Sequence, residues 1–183
     1  IEDVELIRQQ VQRCSEILGQ LGAESGEVIG EMPQPTTLRE VVDPLAAEHP
    51  RLVVELEDDS TQRLPLRAMR RVLLSLVENA EQASRDDAPV TLRARPLADD
   101  QVEIVVEDEG EGMPAEVLAH ARDPFFTTKS EGLGLGLFLA SAVVEQLGGT
   151  LELDTTPREG TRVRIRYPRL ALEGNVSSPR HHR

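Results

Sequence analysis

Four short segments carry residues whose types and spacing could do chemistry. Their order along the chain matters more than any one of them. Asn79 lies in LLSLVENAEQA, where Ser75, Asn79 and Gln82 fall at i, i+4 and i+7 and so share one polar stripe of a helix. An amide oxygen on such a stripe is a good neutral ligand for a hard cation such as Mg2+. Taken alone, an Asn on a helix is more often simply solvated. Asp108 closes the run QVEIVVED, and Gly110, Gly112 and Met113 follow it in EDEGEGMP. A carboxylate there can accept a hydrogen bond from an exocyclic amine, and the glycines let backbone approach a flat ring without a Cβ in the way. In isolation the same pattern is usually an acidic turn.

The stretch DPFFTTKSEGLGLGLF (123–138) contains all three phenylalanines of the chain. Phe125 and Phe126 could plug the core, which is the commoner case. They could also anchor a hinged lid whose Thr128 and Lys129 side chains reach a phosphate. Gly132, Leu133, Gly134, Gly136 and Leu137, in GLGLGL, then run into a helix. Unpaired N–H groups at a helix start, with the helix dipole behind them, bind phosphate. The run is not a Walker A, because no Gly-Lys-Ser/Thr follows, and its glycine spacing and the lack of a preceding strand exclude a dinucleotide fingerprint.

These segments need elements to hold them. Thr36 or Thr37 caps a helix running to about Glu48, closed by Pro50. RLVVELED reads as a strand. LRAMRRVLLSLVENAEQAS is a strong helix with Leu66, Met69, Val72, Leu73, Leu76, Ala80 and Ala83 as its apolar face. VTLRARPL and QVEIVVED alternate with period two and read as adjacent strands around an Ala-Asp-Asp turn. A short helix begins at Pro114, and another runs from Leu135 to Leu147 and stops at Gly148-Gly149. TLELDTT and GTRVRIRYP form a closing hairpin with PREG as its turn. Hairpins mixed with helices predict an α+β two-layer sandwich, with helices on one face of a mixed sheet.

The bulk numbers narrow the partners. The 183 residues carry a net charge of −13 and a pI near 4.8, so nucleic acid and anionic lipid are repelled. A nucleotide would need local donors or a metal against that field. One cysteine excludes an internal disulfide and fits a reducing compartment. No apolar run is long enough to span a bilayer and no signal peptide is expected in this stretch, so the chain is not expected to insert in a membrane. It opens with Ile, which reads as a piece of something longer.

Asn79 in LLSLVENAEQA, Asp108-x-Gly110-x-Gly112, PFFTTK and GLGLGL together resemble the N, G1, F and G2 boxes of sensor histidine kinases, a branch of the superfamily that also holds gyrase, Hsp90 and MutL. The resemblance covers about residues 37–168. It implies a Bergerat-type α/β sandwich that binds Mg-ATP under a mobile lid. Asn79 would then hold Mg2+ and the phosphates, with Gln82 beside it, and Asp108 would read the adenine amine, helped by Thr161 in EGT. Gly110, Gly112 and Met113 would form the adenine-side turn. Thr128 and Lys129 would belong to the lid, and Gly132, Leu133, Gly134, Gly136 and Leu137 to its phosphate-facing end. Two departures stand out: many relatives place Lys or Arg where this chain has Gln82, and the ATPase branches place a water-activating Glu where it has Ser75. Ser75 is a poor base, which favours transfer to a histidine imidazole over hydrolysis. An ATP-sensing module without transfer and an Hsp90/gyrase-type ATPase remain the alternatives.

The resemblance also implies partners. Residues 1–22 place Val4, Ile7, Val11, Cys14, Leu18 and Leu21 on a heptad seam. They resemble the second helix of the dimerisation hairpin that bears the phosphoacceptor, followed by a linker over 23–36, the ATP-binding domain over 37–170 and a disordered tail over 171–183. His49, His120, His181 and His182 lie in no phosphoacceptor box, so the fragment is not expected to phosphorylate itself. The expected partners are its own phosphoacceptor domain, a second copy of the full-length chain, and a response-regulator receiver domain. The expected setting is the cytoplasmic part of a membrane-anchored bacterial kinase. QQVQRCSEILGQL is further similar to the segment around the redox-active cysteine of RegB/PrrB-type sensor kinases. Cys14 on the seam could bring two sulfurs together, with Arg13 lowering the thiol pKa; it could equally be a small buried hydrophobe.

Overall fold

The computed structural model describes residues 31–85, 87–129 and 132–170. The seam helix, Cys14, most of the linker, the tail, His181 and His182 lie outside them. Among the described residues four helices and seven strands follow in order: β1 (Gln34–Thr36), α1 (Leu38–Glu48), β2 (Leu52–Leu56), β3 (Gln62–Leu64), α2 (Leu66–Ala83), β4 (Val90–Leu97), β5 (Gln101–Asp108), α3 (Ala115–His120), α4 (Gly136–Gln146), β6 (Thr150–Thr156) and β7 (Gly160–Pro168). Strands β2-β4-β5-β7-β6 form one sheet, parallel between β2 and β4 and antiparallel elsewhere. The helices cover one face, giving the α+β two-layer sandwich that the alternating strands imply.

The helices start in different ways. Thr37 caps α1 and closes a reciprocal box with Glu40, at 3.3 Å from the Glu40 N–H and 3.0 Å back to the Thr37 N–H. Pro44 sits inside α1 and lacks the N–H that would reach the Glu40 carbonyl; Arg70 donates to that oxygen instead, at 2.9 Å. Helix α2 begins at Pro65, which offers no side-chain cap. Glu31 supplies one from far along the chain, accepting from the Arg67 and Ala68 N–H groups at 3.2 and 2.8 Å.

The core lies between α1, α2 and α4 and the inner sheet face. Met69, Leu73, Leu76 and Val77 of α2 pack over Val90, Leu92, Ile104, Val106 and Ile165, all fully or almost fully buried. Of the apolar face read for α2, Leu66 and Ala83 are only half-buried, and Ala68 and Val77 are buried in their place. On the outer face Arg and Glu alternate. Glu103 is buried there among Arg95, at 2.6 Å, and Arg166, at 2.8 Å. Burial pushes its carboxyl up, but the two guanidinium groups outweigh burial and hold it below the usual range.

Two strands escape a period-two reading. β1, inside the stretch read as linker, pairs antiparallel with β3, and the buried side chains of the pair include polar Thr36 and Gln62. Three residues are too few to show alternation, and polar residues facing inward hide what there is. His49, read as a surface residue, is half-buried at the end of α1, with Nδ1 at 2.7 Å from the Glu81 carboxylate.

Candidate functional site

A cleft of about 810 Å3 opens between α2, the ends of β5 and β7, and the segment from α3 to α4. Every candidate nucleotide- or metal-binding residue named above that lies within the described residues lines it, except Gly110; of the two aromatic candidates, Phe125 does not. Gly110 sits just behind the wall and donates its N–H to Asp108 Oδ1 at 2.8 Å. Asn79 and Asp108 thus face one space, although their elements are separated by β4 in the chain. The parallel step from β2 to β4 and the β4–β5 hairpin return the chain so that β5 runs beneath α2, and Asp108 ends up under the helix's C-terminal half.

The inner end is built around Asp108, which is 6% exposed. Register places it opposite Thr161, whose N–H also donates to Oδ1, at 3.3 Å. Among the described residues no donor reaches Oδ2. Burial pushes the Asp108 carboxyl above its ordinary range; the Gly110 and Thr161 N–H groups pull it back only in part, and the nearby Glu107 adds to the rise. This is an acceptor held in place through one oxygen, with the other available to a donor from the cleft. Thr155 is a supporting residue that sequence reading missed. Its hydroxyl accepts from the Met113 N–H at 3.0 Å, donates to the Gly160 carbonyl at 2.9 Å, and lies 3.1 Å from the Thr161 hydroxyl. It ties the turn after Asp108 to the β6–β7 hairpin. Its one signal was its place across the hairpin from Thr161, which needs the register to be known.

The outer end carries the amides. Asn79 is half-buried and Gln82 exposed on α2. The sequence aims Lys129 at a phosphate; in the structure its ammonium donates to Asn79 Oδ1 at 2.9 Å and to Gln82 Oε1 at 2.6 Å. Lys129 is exposed and lines the cleft. Burial pushes that amine's pKa down, and the carboxylates of Glu111 and Glu78 oppose the change. Two neutral oxygens already holding a compact cation form a donor set that also suits Mg2+.

Helix α4 closes the cleft. It starts at Gly136 with no side-chain cap, so its first-turn N–H groups are available to a ligand. A Cβ on Gly136 would lie 2.4 Å from Ser75 Oγ, so α2 and α4 approach closely only because both residues are small. The aromatic segment divides. Phe126 lines the cleft, its ring centroid 5.5 Å from that of His120, which is itself 2.7 Å from Asp123. Phe125 has φ of 66°, donates its N–H to the Gly134 carbonyl, and is 53% exposed; Phe138 is also exposed. Of the pair expected to anchor a lid, only Phe126 lines the cleft.

Comparison with known proteins adds family context. Residues 66–171 match the family model described as histidine kinase-, DNA gyrase B-, and HSP90-like ATPase. Sensor kinase CckA of Brucella abortus is 34% identical over 195 aligned residues, covering 93% of this chain and 20% of CckA. Sensor histidine kinase ZraS of Klebsiella oxytoca is 39% identical over 92 residues, covering 50% of this chain and 20% of ZraS. The chain therefore spans about a fifth of the length of these relatives. Among solved structures, the mycobacterial sensor histidine kinase MprB superposes with a TM-score of 0.66 at 23% identity, covering 76% of this chain and 99% of that one. Full-length ShkA, solved in complex with AMPPNP, gives 0.70 at 18% identity, covering 94% of this chain and 40% of that one. The two-layer α+β sandwich is the one these kinases share. No helix among the described residues is long and apolar enough to cross a membrane.

Proposed function

We propose, because this chain belongs to the family of histidine kinase-, DNA gyrase B- and HSP90-like ATPases, that it is the ATP-binding catalytic module of a two-component sensor histidine kinase. It would position Mg-ATP for transfer of the γ-phosphoryl group to a histidine on a dimerisation domain, from which a response-regulator receiver would take it. One observation carries the reading: a buried carboxylate with an unmatched oxygen and a cation-holding pair of amides face the same cleft, at opposite ends.

The division of labour follows from the donors. Asp108 Oδ2 would accept from the adenine amino group, with Thr161 and Gly110 holding the carboxylate still through Oδ1. Asn79 and Gln82 would hold Mg2+, whose role when bound is to neutralise phosphate charge. The uncapped start of α4 would donate backbone N–H groups to phosphate oxygens. No carboxylate occupies the Ser75 position, and its hydroxyl lies where a Cβ on Gly136 would fall. That favours a kinase over a hydrolase, because an imidazole nucleophile needs no base to activate it at neutral pH.

The test supplies a separate dimerisation-domain protein bearing its phosphoacceptor His, with γ-labelled ATP and Mg2+. Label on that histidine supports transfer. Bound ATP with no label on the acceptor would make the chain a nucleotide sensor instead, and steady release of phosphate without acceptor would make it an ATPase. A finer reading, resting on the resemblance around Cys14, is redox input through that thiol. In its favour, oxidant should raise the dimer fraction of wild type and leave Cys14→Ala monomeric by sedimentation; an equal response of both rules the thiol out.

A further inference from the structure

Lys129 is the single lysine among the 20 Lys and Arg residues of the chain. Its ammonium bridges Asn79 Oδ1 and Gln82 Oε1, the two neutral oxygens at the outer end of the cleft. We propose that Lys129 is an internal cation standing in for Mg2+, so that metal and lysine compete for the Asn79 and Gln82 oxygens. This rests on the nucleotide-site reading above and adds the residue that sets its metal requirement.

Three observations point the same way. Among the described residues the amide pair is contacted by a charge and not by another neutral donor, although both oxygens could be met by water at the mouth of the cleft. The group that satisfies it is compact. An ammonium is a point charge that can occupy the place of a small metal ion, while a planar guanidinium spreads its donors over a rigid fork. A chain that otherwise uses only arginine for its permanent positive charges departs from that usage here. The surroundings suit a cation of either kind, because Glu78 and Glu111 both act on the Lys129 amine and both line the cleft. Asn79 Oδ1 cannot hold the ammonium at 2.9 Å and take a metal ion along the same direction. Metal binding therefore displaces the amine, and the displaced charge is free to meet the phosphates.

The experiment titrates MgCl2 into the protein saturated with ADP and follows both heat and the side-chain amide NMR signals of Asn79 and Gln82. Lys129→Met should lower the half-saturating Mg2+ about tenfold, the size expected for loss of one competing charge-assisted contact. Removing a charge also changes the field, so a second form keeps the charge. Reductive dimethylation of the lone ε-amine leaves it cationic with one N–H, unable to donate to both oxygens; Lys129→Met carried through the same treatment controls for the terminal amine. The dimethylated protein should share most of the drop in Mg2+ requirement, and the amide signals of the free protein should move in both forms. If only Lys129→Met responds, the effect is one of field and the competition is overturned. An unchanged Mg2+ requirement in both forms also overturns it. If wild type fails to bind ADP at all, the nucleotide-site reading itself is what falls.

Discussion

Asp108→Asn is expected to weaken ATP binding about 10–100-fold while leaving the melting temperature at pH 7 at or above that of wild type. The binding loss follows from the geometry. Oδ1 is already committed to the Gly110 and Thr161 N–H groups, at 2.8 and 3.3 Å, so an asparagine would keep its carbonyl oxygen there. Its NH2 would then face the cleft, and a donor would confront the donor of an adenine amino group. A charge-assisted hydrogen bond is worth about 1.5–3 kcal/mol, and its loss gives the quoted range. The stability side follows from the raised pKa of Asp108. A carboxyl whose folded pKa lies above its unfolded one binds its proton more tightly in the folded state. Its contribution to stability is present below the unfolded value and is lost as pH rises through the folded one. At pH 7 the ionised, buried Asp108 is thus a cost to folding, and the neutral amide removes it. The same sign predicts that ATP affinity of wild type falls as pH drops through the raised value, because a protonated oxygen no longer accepts. Calorimetry and a thermal melt on the same sample decide the matter: unchanged affinity removes Asp108 from the adenine site, and a large fall in melting temperature would mean that the loss of binding reports unfolding.

Gly160→Ala is expected to destabilise the domain by at least about 3 kcal/mol, combining left-handed strain with a backbone collision. Gly160 opens β7 with φ of 92°, where side chains are rarely tolerated. A Cβ there would lie 1.9 Å from the Asp108 carbonyl oxygen. Main chain on main chain cannot yield by a rotamer change; β5 and β7 would have to part at the one point where Asp108 and Thr161 face each other. The melting temperature should fall by about 10 °C, and ATP binding should go with it. Glycine at 160 is therefore a requirement of the site as much as of the turn. A melt within about 2 °C of wild type would show that the hairpin relaxes freely and that the contact is not a constraint.

What the residues alone determined is local. Period-two runs placed β4 and β5 at their observed bounds, because a half-buried strand writes its two faces into alternate positions. A threonine cap placed the start of α1 to within one residue, at Thr36 or Thr37; the structure takes Thr37, whose side chain meets Glu40 within one turn. The four ordered motifs pointed to a nucleotide cleft, because a ligand's functional groups demand particular donors wherever the chain supplies them. What only the tertiary structure decided is how distant segments meet. That Glu31 caps α2, that Thr155 braces the Asp108 turn, that Phe125 faces solvent while Phe126 faces the cleft, and that Lys129 rests on Asn79 and Gln82 all depend on strand register and helix packing. The reason is physical. A side chain's partner is fixed by the path of every element between the two, and no pattern within either segment records that path.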